Sequence, residues 1–351
     1  MLNRLLSSFS TDVGIDLGTA NSLVYLKGNG IIINESSTVA INNKTGQVLA
    51  VGESAKRIVG RTPMHISAIR PIVNGVIADF DITQEMLRYF LNKTKEFARK
   101  RMVFYPRVVI GVPSNLTEVE RKAVEDAALQ AGAARAYLVD EPIAAALGAR
   151  FPIEDPTAHF IVDIGGGTTE IAVISMSGIV ASRSLKIAGD RFNEEIIKFF
   201  RDELRLLIGE PTAEEIKIAV GSAYPLDQKL EVRVRGRDLS TGLPKEVVAA
   251  DAQIRSAIAH PLSIITDSIK EIIEKTPPEL VGDIMYRGIY LCGGGSLLKN
   301  IDRLIEEESR VKTSIIDDPM TAVVRGTGVI SEDLDKFRDL LFVSRKKQLL
   351  L

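Results

Sequence analysis

The chain has 351 residues, 45% of them hydrophobic and 26% charged, and its 44 basic and 46 acidic side chains give a formal net charge of −2. This composition excludes disorder for most of the chain, and the length predicts two or three domains or one large two-lobed body. The near-neutral charge argues against a nucleic-acid-binding protein, while one cysteine and three scattered histidines offer no internal disulfide or metal spacing and indicate a reducing, intracellular compartment.

The first 150 residues combine short strands with amphipathic helices. Branched, alternating segments separated by Gly/Asn turns predict consecutive antiparallel hairpins over residues 12–17, 22–26, 31–33, 38–41 and 47–51. Asp81 is placed to cap a helix that reaches about residue 99, and Thr117 and Glu120 form a capping box for a helix to about residue 131. Strands at 108–112 and 136–139 precede a small-residue helix that begins at Asp140-Glu141-Pro142.

A similar order of elements restarts near residue 160 and indicates an internal duplication into two similar lobes. Strands are predicted at 160–164, 169–175 and 179–184, then helices at 190–207 and 212–220. A hairpin of 230–235 with 246–249 precedes a long helix at 251–274. The chain closes with strands at 288–292 and 312–316 and helices at 296–308 and 320–330.

Two glycine- and threonine-bearing turns carry the main chemical signal. Turn A (residues 18–21) follows Asp16, and turn B (residues 165–168) follows Asp163, each after a buried strand. Glycines let successive backbone N–H groups approach a phosphate, and threonine hydroxyls add donors. Because a carboxylate alone repels phosphate, the pattern predicts a cation between them, and Mg²⁺ suits carboxylates that act through water.

A third glycine-rich turn, residues 293–295, lies between a predicted strand and a predicted helix. Alone it is a weak signal, because the chain has neither the glycine fingerprint of a dinucleotide fold nor a Gly-Lys pair of a P-loop. An isolated turn A is also compatible with a plain β-hairpin, but two such turns at the starts of two lobes favour a phosphate clasp.

The order and spacing of these motifs resemble the actin, Hsp70 and hexokinase ATPase superfamily and, more closely, the MreB family of bacterial actins. The resemblance extends from residue 1 to about residue 330 and includes Arg70-Pro71, residues 75–80, 140–146, 207–210 and 276–280. It implies an α/β, actin-like two-lobed ATPase fold with duplicated mixed-sheet, RNase H-like domains and four subdomains. The corresponding boundaries are a membrane-binding helix at 1–10, lobe I at 11–150 with a small subdomain around 31–80, lobe II at 151–332 with a small subdomain around 190–255, and a tail at 333–351.

The resemblance also implies ATP and Mg²⁺ in the cleft, with a role for each motif. Asp16 and Asp163 would hold Mg²⁺ through water, and Glu141, helped by Thr168, would position the attacking water of a slow ATP hydrolysis. A plain alternative for Glu141 is a carboxylate favoured by its place at a helix N-terminus. The nucleotide-binding residues implied are Gly18, Thr19, Ala20, Asn21, Gly165, Gly166, Gly167, Thr168, Glu214, Lys217, Gly293, Gly294 and Gly295.

Two apolar segments are candidates for membrane contact. The first nine residues place Met1, Leu2, Leu5, Leu6 and Phe9 at helical spacing, which fits either a weak interfacial helix or a terminal helix docked on the protein's own core. Residues Met102, Val103 and Phe104 lie between basic side chains and either begin the next strand or, as the resemblance implies, form a membrane-touching loop. The basic, apolar tail at 345–351 is a third candidate, or simply a frayed end.

The family resemblance implies a cytoskeletal protein that maintains rod shape and directs cell-wall synthesis. Its expected partners are further copies of itself in paired protofilaments, the inner face of the cytoplasmic membrane, and membrane proteins of the cell-elongation machinery, with no nucleic acid. Three other readings share the superfamily turns: a chaperone ATPase, which needs a peptide-binding domain after residue 330, a sugar kinase, which needs a base over a sugar pocket, and a plasmid-segregating or division actin.

Overall fold

A computed structural model of the chain describes residues 12–97 and 106–342. The strands are β1 Val13–Leu17, β2 Asn21–Leu26, β3 Gly30–Ser36, β4 Val39–Asn42, β5 Val48–Val51, β6 Ile66–Ile69, β7 Ile72–Val73, β8 Val76–Ile77, β9 Arg107–Val112, β10 Arg135–Asp140, β11 His159–Ile164, β12 Thr169–Ser175, β13 Gly178–Leu185, β14 Leu206–Leu207, β15 Glu231–Asp238, β16 Pro244–Ala250, β17 Ile289–Cys292 and β18 Thr313–Ile315. The helices are α1 Glu53–Lys56, α2 Phe80–Phe97, α3 Glu118–Gln130, α4 Glu141–Gly148, α5 Gly189–Asp202, α6 Glu210–Val220, α7 Asp251–Lys275, α8 Pro278–Arg287, α9 Ile301–Ser309 and α10 Ala322–Glu332. No helix within the described ranges is both long and apolar enough to cross a membrane.

Two five-stranded sheets have the same topology, which confirms the duplication. The first has the order β10-β9-β1-β2-β3 and the second β13-β12-β11-β17-β18. In each sheet, three successive strands form an antiparallel meander. A later strand then pairs in parallel with the first strand of the meander, and the last strand pairs in parallel with that later strand. Each sheet is therefore mixed, as expected for the actin-like ATPase fold.

The central strands of both large sheets are buried on both faces. All six residues of β11 are buried, as are the last five of β9. Strands buried on both faces read as continuous apolar runs, because helices lie against both sides of the sheet. Separate cores fill the two lobes, and a third cluster that includes α4, Phe151 and Phe337 lies between them.

Two smaller sheets, β5-β4-β6 and β14-β15-β16, belong to the first and second halves of the chain. They lie within the ranges, around 31–80 and 190–255, that the resemblance assigns to two small subdomains, whose boundaries stay predictions. The short hairpin β7-β8 follows the first of them and leads into α2.

Helix α10 comes after the second sheet in the chain but packs against α4 and β1 of the first. The contact is between backbones, since a Cβ on Gly326 would overlap the Ala144 carbonyl and one on Gly148 would overlap that of Ala322. Phe342 then forms an antiparallel bridge to Leu138 in β10. The end of the described chain is therefore attached to the first sheet.

Several local predictions were wrong. The five early strands do not form one run of hairpins, because β3 and β4 belong to different sheets and β4 pairs with both β5 and β6. The cap of α2 is Asp79, whose carboxylate accepts from the Ile82 N–H at 3.0 Å, not Asp81. The predicted start of α4 is confirmed, since Asp140 is its N-cap residue, although the Asp140 side chain contacts Arg121 at 3.2 Å and makes no cap hydrogen bond.

Two predicted helices are interrupted. The helix predicted over 190–207 ends at Asp202, and Leu206–Leu207 instead pairs with β15, after Arg205 adopts a left-handed conformation at φ 53°. The helix predicted over 296–308 is a 3₁₀ turn, Gly294–Leu297, followed by α9, with Asn300 at φ 58° between them. Helix α8 was not predicted at all, because its Pro-Pro start reads as a breaker.

Candidate functional site

Turn A and turn B face each other across the cleft between the two large sheets. Turn A joins β1 to β2 and turn B joins β11 to β12, so each lies at the end of an antiparallel hairpin. A Cβ on Gly166 would lie 2.6 Å from the Ala20 Cβ, and one on Gly167 would lie 2.6 Å from Thr19 Oγ1. Only glycine allows the two turns to approach so closely.

A cavity of about 330 Å³ opens between the turns. Every described residue that the sequence predicted for the ligand lines this one cavity, although their individual roles stay predictions. They are Asp16, Gly18, Thr19, Ala20, Asn21, Glu141, Asp163, Gly165, Gly166, Gly167, Thr168, Glu214, Lys217, Gly293, Gly294 and Gly295.

Sequence reasoning missed a second set of lining residues, most of them apolar. The set includes Gly75, Gly189, Asp190, Phe192, Ile218, Leu297, Leu298, Pro319, Met320 and Val323. Apolar side chains around a ligand resemble core residues in a sequence, so periodicity gives no signal for them. Gly189 carried a usable signal, since a glycine at the first position of a helix lets an anionic ligand approach the backbone N–H groups there.

Carboxylates concentrate at the floor of the cavity. Asp16 lies in β1 and is half-buried, and Asp163 lies near the end of β11 and is buried. Burial, and then repulsion from Asp163, raises the pKa of Asp16 to about 8. Burial, and then Glu170, raises the pKa of Asp163 to about 7. Both groups therefore favour a nearby positive charge.

The donor set fits Mg²⁺ shared with a ligand. Asp16 and Asp163 supply hard oxygen atoms, the ligand type that Mg²⁺ prefers, and a cation would offset the burial and the carboxylate repulsion that raise their pKa values. Among residues 12–97 and 106–342, no group of three or more His, Cys, Asp or Glu side chains could hold a metal alone. The remaining positions of an octahedral shell would have to come from water and ligand oxygens.

Glu141 begins α4 and points into the same floor, where it is only 9% exposed. Burial, followed by repulsion from Glu170, raises its pKa well above the usual value. Glu170 is fixed by two lobes at once: it accepts from Ser114 N–H at 3.2 Å, from Ser114 Oγ at 2.7 Å, and from Ser184 Oγ. A buried carboxylate that gains a proton readily can act as a base for a water molecule.

The third glycine turn is fixed against the end of β11. Gly293 has φ 78°, and a Cβ there would overlap the Asp163 carboxylate. The Ser296 hydroxyl donates to the Gly293 carbonyl at 2.7 Å and stabilises the 3₁₀ turn that follows. This turn brings backbone to the cavity wall on the side of the second lobe.

Glu214 and Lys217 share one face of α6 at the cavity edge. Lys217 Nζ donates to the Gly189 carbonyl at 3.0 Å, and burial lowers its pKa. Glu214 is paired with Lys56 of the first lobe at 3.1 Å. Both side chains thus have protein partners as well as access to the cavity.

The predicted membrane-contacting residues, Met1, Leu2, Leu5, Leu6, Phe9, Met102, Val103 and Phe104, lie outside the described residues, as does the tail at 345–351. Their roles stay predictions.

A scan against protein-family models matches residues 10–339 to the MreB/Mbl protein family. Over 328 residues the chain is 47% identical to the cell shape-determining protein Mbl of Bacillus subtilis, covering 93% of this chain and 98% of Mbl. Over 346 residues it is 46% identical to the cell shape-determining protein MreB of Escherichia coli, covering 97% and 99%.

Solved structures give the same result. The crystal structure of MreB5 of Spiroplasma citri bound to ADP superimposes with a TM-score of 0.89 at 39% identity, covering 94% of this chain and 98% of MreB5. A second MreB5 structure is bound to AMPPNP. A MamK double helical filament matches with a TM-score of 0.78 at 20% identity, covering 92% of this chain and 99% of MamK, which shows the shared fold.

Proposed function

Because the chain belongs to the MreB/Mbl family of actin-like proteins, we propose that it is an ATP-dependent, filament-forming actin homologue of the bacterial cytoskeleton that maintains rod shape. The observation that carries this proposal is the close opposition of turns A and B in the cavity that Asp16 and Asp163 also line. Family membership decides against the chaperone, the sugar kinase and the plasmid-segregating or division actin.

ATP is the ligand that we propose for the cavity. Backbone N–H groups and threonine hydroxyls of the two turns would bind the phosphates from opposite sides. The turn at 293–295 would approach the adenosine, with Glu214 and Lys217 at the ribose and base edge. Support comes from the two MreB5 structures, which hold ADP and AMPPNP.

Asp16 and Asp163 would hold Mg²⁺ through water molecules. When bound, this ion would neutralise phosphate charge. The two carboxylates would then stay ionised, since a cation offsets both the burial and the carboxylate repulsion that raise their pKa values.

Hydrolysis, in this proposal, is slow and depends on Glu141. The Glu141 carboxylate would orient the attacking water and accept its proton, while the Thr168 hydroxyl would hold the water against the terminal phosphate. Both side chains line the cavity. Glu170, which is outside the cavity wall, would make Glu141 a stronger base, because its repulsion helps to raise the Glu141 pKa.

We further propose head-to-tail assembly into paired protofilaments on the inner face of the cytoplasmic membrane, where the polymer contacts membrane proteins of the elongation machinery and directs wall synthesis. Head-to-tail contacts join different surfaces of identical subunits and give open filaments when they do not close into a ring. A single nine-residue anchor binds lipid weakly, but many anchors on one polymer act together.

The decisive experiment is electron microscopy of the full chain with ATP, Mg²⁺ and liposomes that contain anionic lipid. Paired filaments on the lipid are expected, and monomers under every combination of nucleotide, metal and lipid would contradict the proposal.

Deletion of residues 1–9 should lower the fraction of the protein that co-sediments with liposomes. Full retention would transfer membrane binding to residues 102–104 or to the tail.

A further inference from the structure

Three ion pairs connect the two lobes at the mouth of the cleft. Arg70, between β6 and β7 of the first lobe, contacts Asp190 Oδ1 at 2.9 Å and Glu210 Oε1 at 2.7 Å. Lys56 of α1 contacts Glu214 Oε2 at 3.1 Å. All three acidic partners belong to the second lobe, so these contacts bridge the cleft rather than stabilise one lobe.

The partners of Arg70 are tied to the two ends of the ligand cavity. The Asp190 N–H donates to the Gly166 carbonyl at 2.8 Å, and the Gly189 N–H donates to the Gly165 carbonyl at 3.2 Å. Asp190 is therefore held against turn B. Glu210 is the first residue of α6, the helix that carries Glu214 and Lys217 to the opposite edge of the cavity.

The hairpin that follows Arg70 touches both turns. The Gly75 N–H donates to Thr19 Oγ1 in turn A at 3.1 Å. Across the cleft, a Cβ on Gly167 of turn B would lie 3.0 Å from the backbone of Asn74. A short segment of the first lobe, residues 70–75, thus contacts turn A, turn B and the start of α6.

Charge on the two sides of the mouth is complementary. The second lobe presents three carboxylates at the mouth, those of Asp190, Glu210 and Glu214. Lys217 is a nearby positive charge in the same lobe. The repulsion among these carboxylates is offset by Arg70 and Lys56 from the other side. Arg70 is 25% exposed, so salt screens this bridge only in part, and its planar fork matches two carboxylates at once.

We propose that Arg70 is a positioning residue that fastens the cleft in its closed form, through a clasp made of Arg70, Asp190 and Glu210. By holding Asp190, Arg70 fixes turn B against turn A; by holding Glu210, it fixes the edge formed by α6. Closure by this clasp limits escape of the ligand more than its entry. The inference rests on the proposed function only in taking the ligand to be ATP.

The geometric test measures the width of the cleft directly. Spin labels on Lys44→Cys and Thr241→Cys, at exposed turns of the two small sheets, report the distance between lobes, since the native Cys292 is buried. In protein that sedimentation shows to be monomeric, Arg70→Gln and Glu210→Gln should each broaden the distribution toward longer distances, without nucleotide. Arg235→Gln is the matched control, because it breaks a 2.7 Å pair with Glu246 on one small sheet.

The kinetic test uses a fluorescent ATP analogue in stopped flow. Arg70→Gln should raise the dissociation rate about tenfold and change the association rate less than twofold. Dissociation from the unsubstituted protein should quicken as salt rises from 50 to 500 mM, and Arg70→Gln should reduce that dependence, with the Lys56–Glu214 pair left as the remaining bridge. Adding Glu210→Gln to Arg70→Gln should have less effect than Glu210→Gln alone, since both remove one interaction.

A distance distribution and a dissociation rate unchanged in both Arg70→Gln and Glu210→Gln would overturn the clasp. If Arg70→Gln fails to fold, Glu210→Gln decides the question alone, because Glu210 is 45% exposed and outside the cavity wall. Absence of ATP binding by the unsubstituted protein would contradict the proposed function, while the distance measurement would still test the clasp.

Discussion

At the scale of single residues, Asp16, Glu141 and Asp163 line the cavity, and Glu170 adds a fourth carboxylate outside the cavity wall. Glu141, Asp163 and Glu170 are buried, Asp16 is half-buried, and the pKa of each carboxyl is raised, chiefly by loss of solvation. Such a cluster lowers the stability of the ligand-free protein at neutral pH, because the folded state disfavours ionisation there. Perturbed carboxylates in a cleft are typical of a functional site.

We predict that Glu141→Ala lowers phosphate release about 100-fold or more while nucleotide affinity changes little, since general base catalysis contributes about that factor. Phosphate release in a coupled assay and titration with a fluorescent nucleotide measure the two quantities. Unchanged release would remove Glu141 from the chemistry, and the plain role at the helix N-terminus would then suffice.

A second residue-scale prediction concerns His159, the buried first residue of β11. Its ring stacks on Phe151 with centroids 5.1 Å apart, and Nε2 has no hydrogen-bond partner among the residues described. Burial, and then Arg287, lowers its pKa. The unfolded chain, with a histidine pKa of about 6.5, takes up a proton more readily, so stability from neutral His159 is lost as pH falls below about 6.5.

We therefore expect His159→Asn to flatten the fall in the free energy of unfolding between pH 7 and pH 5. Urea unfolding at half-unit intervals of pH gives the two curves. The cleft carboxylates act in the opposite direction, because their raised pKa values remove stability as pH increases, but they are common to both proteins. Parallel curves for the variant and the unsubstituted protein would contradict this assignment.

At the scale of elements, the site depends on how closely two hairpin turns approach. In turn B, Gly166 faces Ala20 of turn A with no room for a side chain. Overpacking such a contact costs about 1–3 kcal/mol or forces the backbones apart. The two turns can then no longer bind the same phosphate group.

We predict that Gly166→Ala weakens ATP binding about tenfold or more, because the added methyl would lie 2.6 Å from the Ala20 Cβ. Gly178→Ala, at the start of β13, is the matched control, since the nearest atom to its new Cβ would be 3.7 Å away. Calorimetric titration with ATP measures both. Equal affinity of the two variants would show that the turns do not bind the ligand together.

Elements with a strong local signal were predicted correctly, and elements defined by distant partners were not. Helix α3 has the capping box expected from Thr117 and Glu120, with the Glu120 N–H donating to Thr117 Oγ1 at 3.2 Å. By contrast, Leu206–Leu207 is a strand only because β15 lies beside it. Its apolar residues continue the pattern of α5, so periodicity could not separate them.

At the scale of the whole molecule, α8 presents the most exposed apolar pair of any helix described. Met285 is 66% exposed and Tyr286 is 91% exposed. Asp283 of the same helix accepts from the Ala158 N–H, next to the first residue of β11, whose other end reaches the cleft. Helix α8 therefore lies at the end of the second lobe away from the cleft, and we predict that its exposed apolar pair contributes to an end-to-end contact between subunits.

We predict that Tyr286→Asp prevents filament assembly with ATP and Mg²⁺ while nucleotide affinity is unchanged, because a charge at a subunit contact must be buried without a partner. Pelleting and electron microscopy measure assembly. Met176→Asp is the control: Met176 is 72% exposed in a turn at φ 50°, a conformation that aspartate accepts. Normal filaments from Tyr286→Asp would place the contact elsewhere.

The sequence by itself determined the repeated strand–turn–strand units, the identity of turns A and B, and the family to which the chain belongs. These features are local: glycine positions, strand alternation and capping residues are each set by neighbours within a few residues. Tertiary structure decided which distant segments meet. The return of α10 to the first sheet, the raised pKa values of Asp16 and Asp163, and the contact of Arg70 with Asp190 and Glu210 depend on how the two lobes face each other. Burial and charge at these places depend on residues that are more than a hundred positions apart in the chain, and no local sequence pattern encodes such contacts.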